Sequence, residues 1–255
     1  MTRVAILTDL HYNKSAPEQL TAELQKAVFR FEERIQPDRV VVLGDIVHEV
    51  DAAATDRENA VTIRSILDEI SCPVRYLPGN HDAVHLSIAD DWPELFGHEA
   101  WGIDTDASLV YLDSTAPHLD GGRGEIGERQ LRALRDALED LSDALVFVHH
   151  PVHECDVSNN RWFADRPEEA FCADGAAVRN ALAMTDAVAA TFNGHLHEFG
   201  YVCSGGISHF TVDAFNKQLT PNEAFGAYAI VDRKEDLRVR FVDGGGRENT
   251  WYRRL

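Results

Sequence analysis

Lysine is scarce in this chain: only four of its 24 basic residues are Lys (Lys14, Lys26, Lys217 and Lys234), against 43 Asp plus Glu and a formal net charge of −19. This balance excludes a broad basic surface for nucleic acid or an anionic membrane, because long-range repulsion opposes both. It suits work in concentrated salt, where charges are screened to within about 3 Å at 1 M. A halophilic source is therefore one expectation, a merely acidic mesophilic enzyme the other. Long apolar runs are also missing. The opening segment MTRVAILTDLHY breaks its apolar run with an acid and offers no basic region, long apolar core or small-residue cleavage site. The expectation is a cytoplasmic protein with no membrane span. Cysteine is sparse: Cys72, Cys155, Cys172 and Cys203 form no CxxC pair and no tight zinc spacing. Reduced, apolar fillers are expected, with a Cys155–Cys172 bridge as the alternative. No Ser or Cys nucleophile motif is present.

What the chain does hold is ample material for a core, 44% apolar residues in 255. No repeat, low-complexity segment or linker divides it, so one domain over residues 1–255 is expected. Val4–Leu7, Val40–Leu43, Val74–Leu77, Leu109–Leu112, Leu145–Val148 and Val188–Phe192 read as strands, several of them continuous apolar runs, as in strands buried on both faces. Helical periodicity fills Glu18–Ile35, Asp56–Ile70 (with Val61, Ile63, Ile66, Leu67 and Ile70 on its apolar side) and Gly127–Leu141. Beyond Gly194 the pattern changes to alternating, hairpin-connected strands at 199–203, 207–213, 227–231 and 237–243. Strand–helix units followed by a meander imply an α/β fold, a two-sheet β-sandwich flanked by helices.

The informative feature is where five apolar strands end. They run into Asp9-Leu10-His11, Gly44-Asp45, Gly79-Asn80-His81-Asp82, His149-His150-Pro151 and Asn193-Gly194-His195-Leu196-His197. A lone His or Asp at a strand end ordinarily caps a turn. In open α/β sheets, however, ligands gather at the carboxyl ends of strands, and five such ends exceed what loop chemistry requires. Asp9, His11, Asp45, Asn80, His149, His195 and His197 would supply seven oxygen and nitrogen donors. That is too many for a closed tetrahedral zinc site, and no thiolate is among them. It fits two ions sharing one bridging carboxylate, and the mixture of carboxylate, amide and imidazole suits Mn, Fe or Zn.

These motifs, in this order over residues 9 to 197, resemble the complete set of the calcineurin-like metallophosphoesterases, nearest the cyclic-nucleotide and glycerophosphodiester phosphodiesterase type. The resemblance implies an αββα sandwich. It implies one metal on Asp9, His11, Asp45 and His197 and a second on Asp45, Asn80, His149 and His195, with Asp45 bridging. His149 is preferred to His150 because the family ligand commonly lies two residues before the proline. One departure stands out: many relatives carry an acid three residues after the Gly-Asp aspartate, where this chain has His48. Asp82 or Glu49 would have to take over, or His81 be tuned differently.

The implied chemistry is hydrolysis of a small phosphoester by a metal-bound hydroxide, with two ions about 3.5–4 Å apart clamping an in-line displacement. His81, beside ligand Asn80, is expected to stabilise the phosphoryl oxygens and protonate the leaving alkoxide, with Asp82 as its catalytic partner. The alternative for His81 is a structural histidine bonded to Asp82. The polar stretch 151–175 is long enough for a substrate loop. His150, His153, Arg161 and Trp162 are its substrate-binding candidates, with Asn159 and Phe163 behind them. Trp162 and Phe163 serve equally well as anchors of the loop to the core. A phosphodiesterase is the leading expectation; a phosphomonoesterase or nucleotide pyrophosphatase with the same site, and a non-catalytic scaffold of the same fold, are the alternatives. A homodimer is left open, with the alternating late strands as the edge through which two copies would pair.

Overall fold

The computed structural model describes residues 1–13, 18–50, 52–216, 218 and 225–255. Among the described residues, twelve strands form two six-stranded sheets. In the first, the order is β12 (Glu248–Arg254), β11 (Asp236–Val242), β10 (Tyr228–Arg233), β1 (Thr2–Leu7), β2 (Arg39–Val42) and β3 (Val74–Tyr76). In the second it is β4 (Gly102–Asp104), β5 (Leu109–Leu112), β6 (Ala144–Val148), β7 (Val188–Asn193), β9 (Ile207–Thr211) and β8 (Gly200–Ser204). Parallel β1-β2-β3 makes one half of the first sheet, whose other half is antiparallel, and parallel β5-β6-β7-β9 is the centre of the second, flanked by antiparallel β4 and β8.

The two sheets bury their facing sides against each other. Val4, Ile6, Val41 and Leu43 of the first meet Phe147, Phe192 and Phe210 of the second. These three phenylalanines, at matched registers on β6, β7 and β9, stack across the sheet with ring centroids 5.5 and 5.3 Å apart. The outer side of the first sheet is covered by α1 (Glu18–Arg30) and α2 (Ala53–Leu67), with the short α3 (Asp91–Phe96) beside them. The outer side of the second is covered by α4 (Gly127–Ala137) and α5 (Gly175–Ala183). Helix–sheet–sheet–helix layering follows from these faces, each apolar stripe or strand face having one partner.

The structure departs from the sequence expectations in three places. Residues 199–243 are not one meander. β9 joins β7 in parallel in the second sheet, whereas β10 pairs antiparallel with β1 in the first. These are pairings between distant segments, which local alternation does not encode. Val61 is 50% exposed, so the buried stripe of α2 keeps the expected Ile63 and Leu67 but takes in Asn59 and Ala60 in place of Val61. Strands β4 and β12 and helices α3 and α5 were not expected. All four cysteines are free, and among the described residues no helix is long and apolar enough to cross a membrane.

Candidate metal centre

The carboxyl ends of β1, β2, β6 and β7, with the loop after β3, converge at one edge of the sandwich. There the chain turns sharply, and it does so on residues that bear donors. Asp9, His11, Asp45, His195 and His197 all have positive φ, between 44° and 68°. Left-handed backbone costs a non-glycine residue about 1–3 kcal/mol and persists where surrounding contacts enforce it, commonly at functional sites. Glycines make the close approach feasible. A Cβ on Gly79 would strike the Asp45 carboxylate, and one on Gly194 would strike Thr8 and Asp9.

Asp9, His11, Asp45 and His197 form one buried cluster whose ligand atoms all lie within 4.8 Å of one another. His197 Nε2 lies 3.1 Å from Asp9 Oδ1, and His11 Nε2 lies 3.4 Å from Asp45 Oδ2. On the other side of the same Asp45 oxygen, His149 Nε2 stands at 3.2 Å, and Asn80 Oδ1 is also 3.2 Å from that nitrogen. Asp45 Oδ1 accepts the His81 backbone N–H at 2.9 Å, so the carboxylate is held with its second oxygen between the two donor sets. Asp9 is fixed in the same manner: its Oδ2 accepts the Thr8 hydroxyl at 2.6 Å and the His195 backbone N–H at 3.1 Å.

The tautomers indicate what the site accommodates. His149 donates Nδ1–H to the Leu43 carbonyl at 2.7 Å, which turns Nε2 toward two oxygen acceptors, a position that a proton or a metal ion can fill. Among the described residues, the buried His11 Nε2 and His197 Nδ1 have no hydrogen-bond partner. His195 donates Nε2–H to the Glu169 carbonyl at 3.0 Å, leaving Nδ1 free. Lone pairs facing one another in a buried site are stable only with positive charge between them, so these residues fit divalent cations. Burial and the neighbouring imidazoles act on the site in opposite directions. Burial favours neutral Asp45, but His149 and His81 hold its carboxyl well below the usual range. Burial also opposes charge on His149, yet Asp45 raises it to about 9, whereas burial drives His11 down to about 4.

His81 borders a cavity of about 390 Å³ together with Asp45, Glu49, Asn80, Trp162, His195 and His197. Its Nδ1 lies 2.5 Å from Glu49 Oε2. Glu49 thus replaces the acid that His48 displaces from the neighbouring position. Burial disfavours the His81 cation, but Asp45 and Glu49 outweigh it and raise the ring to about 9.

The expectation that Asp82 is a catalytic partner is corrected. It is buried, its Oδ1 accepts the Ile46 and Val47 amides at 3.0 Å, and its Oδ2 accepts that of Gly79 at 2.8 Å. Its role is to tie the loops after β2 and β3 together. His150 is also corrected as a substrate residue: it is fully buried, with Nδ1 accepting from Ser114 Oγ at 2.8 Å and Nε2 donating to the Gly122 carbonyl at 2.9 Å. His153 is buried against His209, ring centroids 4.9 Å apart, away from the cavity lining. Arg161 lies over the Trp162 ring and outside the lining, and Asn159 is exposed. Trp162 does border the cavity, with its ring edge-on to His197 at 5.8 Å. Phe163 both lines the cavity and packs with Val157, Ala170 and Leu196.

Sequence reasoning missed Asn160, which organises this loop. Its Oδ1 accepts the Trp162 and Phe163 amides, and its Nδ2 donates to the Leu196 carbonyl at 2.8 Å. Arg166, Glu169 and the Gly121-Gly122 turn, which also border the cavity, carried no signal in the sequence.

Residues 2–199 match the description "Calcineurin-like phosphoesterase". Over 213 residues, 81% of this chain and 77% of the relative, the sequence is 25% identical to a Synechococcus protein named "Probable cyclic nucleotide phosphodiesterase". A dimetal phosphatase from Danio rerio superposes with a TM-score of 0.70 at 18% identity, covering 98% of both chains. The phosphopantetheinyl hydrolase of Mycobacterium tuberculosis superposes at 0.54 with 12% identity, covering 84% of this chain and 90% of that one. The two structural likenesses show a shared fold. With a family match spanning most of its length, the chain belongs to the calcineurin-like phosphoesterases.

Proposed function

We propose that the protein is a metal-dependent phosphoesterase hydrolysing a small organic phosphodiester. The observation that carries this reading is the placement of one Asp45 oxygen 3.4 Å from His11 Nε2 and 3.2 Å from His149 Nε2, between two sets of buried donors. Asp9, His11, Asp45 and His197 would hold one divalent ion, and Asp45, Asn80, His149 and His195 a second, drawn from Mn, Fe or Zn. When bound, such ions neutralise phosphoryl charge and acidify water.

The chain's own groups do the rest. His81, its Nδ1 taken by Glu49, has Nε2 left to donate a proton to the leaving alkoxide oxygen. Glu49 fixes the orientation of that ring. Trp162 and Phe163 provide the apolar wall against which an organic arm of the substrate would lie. The resemblance to the Synechococcus protein named as a cyclic nucleotide phosphodiesterase supports a diester.

The test is Mn²⁺-dependent release of p-nitrophenol from bis-p-nitrophenyl phosphate compared with p-nitrophenyl phosphate. Faster turnover of the diester, abolished by chelation and by Asp45→Asn, is expected. Faster turnover of the monoester would overturn the diester reading. Turnover of neither by metal-loaded protein would point to a non-catalytic scaffold.

A further inference from the structure

In a chain with 43 acidic and 24 basic residues, a cavity lined by three arginines and one acid needs an explanation. On the outer side of the first sheet, Arg30 at the end of α1, Arg34 in the turn that continues it and Arg240 of β11 line one cavity of about 330 Å³. Tyr228, Ile230 and Val242 form its apolar wall, and Glu248 is the acid among its lining residues.

The local acids do not satisfy these guanidinium groups. Arg240 Nη2 lies 3.5 Å from Asp232, a carboxylate already bonded to Arg3 at 2.5 Å. Among the described residues, Arg240 Nε is buried with no acceptor, and neither Arg30 nor Arg34 has an ion-pair partner. Tyr228 lines the same cavity, so its hydroxyl sits beside the guanidinium groups. The helix dipole rationalises cations at the end of α1. It does not rationalise a third guanidinium arriving from β11, or an orphaned Nε–H beside it, since an unpaired buried donor is costly.

We propose that this cavity binds a small phosphorylated metabolite. Its phosphate or pyrophosphate group would lie among Arg30, Arg34 and Arg240, and its organic body on Ile230 and Val242. Guanidinium groups recognise phosphate oxygens by paired, charge-assisted hydrogen bonds. The site is separate from the metal centre, with which it shares no lining residue.

Titration calorimetry with inorganic phosphate tests it. In the Asp45→Asn background, where the metal centre is disabled, a one-site phosphate isotherm is expected to persist. Chelator-treated wild type replaces that background if the variant fails to fold. Adding Arg34→Glu, at an exposed position, should weaken binding at least tenfold, whereas Arg34→Lys should retain most of it. No binding once the metal centre is disabled, or an affinity unchanged by Arg34→Glu, would overturn the proposal.

Discussion

At the scale of single residues, the exchange of roles between His48 and Glu49 has the clearest consequence. Glu49 reaches His81 from one position further along the chain than the family pattern provides. Glu49→Gln keeps the shape but removes the charge that orients and supports the ring. We expect kcat for the diester to fall about 10- to 100-fold with KM within about twofold; loss confined to KM would assign Glu49 to binding instead. Gly79 bears on the same centre through sterics. Gly79→Ala would push a methyl group into the Asp45 carboxylate. Manganese affinity should fall about 10- to 100-fold, as when the supports of a ligand are disturbed, with metal titration as the readout. The seven donor candidates were legible in sequence because each ends an apolar strand. The reassignment of Asp82 to loop tethering was not, because its partners are backbone amides, which leave no mark in residue identity.

Among the elements, β1, β2, β6 and β7 were readable as unbroken apolar runs because each is covered on both faces. Strand β12 was not, since it lies at a sheet edge and exposes most of its polar residues, and β4 has only three residues. The partition of β9 and β10 between sheets rests on long-range pairing that no local window contains. Strand β9 also carries a pH-sensitive feature. His209 is buried, with Thr191 Oγ1 2.7 Å from its Nδ1, and stacks on His153. Burial first, then Arg179, lowers His209 to about 4, and burial with His209 and Arg179 lowers His153 to about 3. Both therefore bind protons in the unfolded chain before they do so in the fold. Their contribution is present above the unfolded value near 6.5 and is lost as pH falls toward 4. For His209 this amounts to at most about 3 kcal/mol. Denaturant unfolding at pH 7 and pH 4.5 should show a smaller acid-induced loss for His209→Gln than for wild type; equal losses would refute the assignment.

Across the whole molecule, the −19 charge sets the response to salt. Raising the salt from 0.1 M to 1 M shortens the screening length from about 10 Å to about 3 Å. If surface repulsion opposes the compact state, this should raise the thermal midpoint by roughly 4–8 °C, equivalent to about 2 kcal/mol. A midpoint that does not move with KCl in a melting scan would argue for the mesophilic alternative.

The bent backbone at five donors has a consequence beyond chemistry. Each of these turns is held against its own preference, and above about pH 9, where His149 and His81 give up their protons, a buried acid such as Asp45 adds uncompensated charge when no cation is present. Asparagine tolerates the left-handed region far better than most residues. At pH 10 a chelated Asp45→Asn protein should therefore melt above chelated wild type while turning over nothing. The molecule would be a tougher object if it gave up its trade, and the margin between the two melting curves would measure how much resilience selection has surrendered for reactivity.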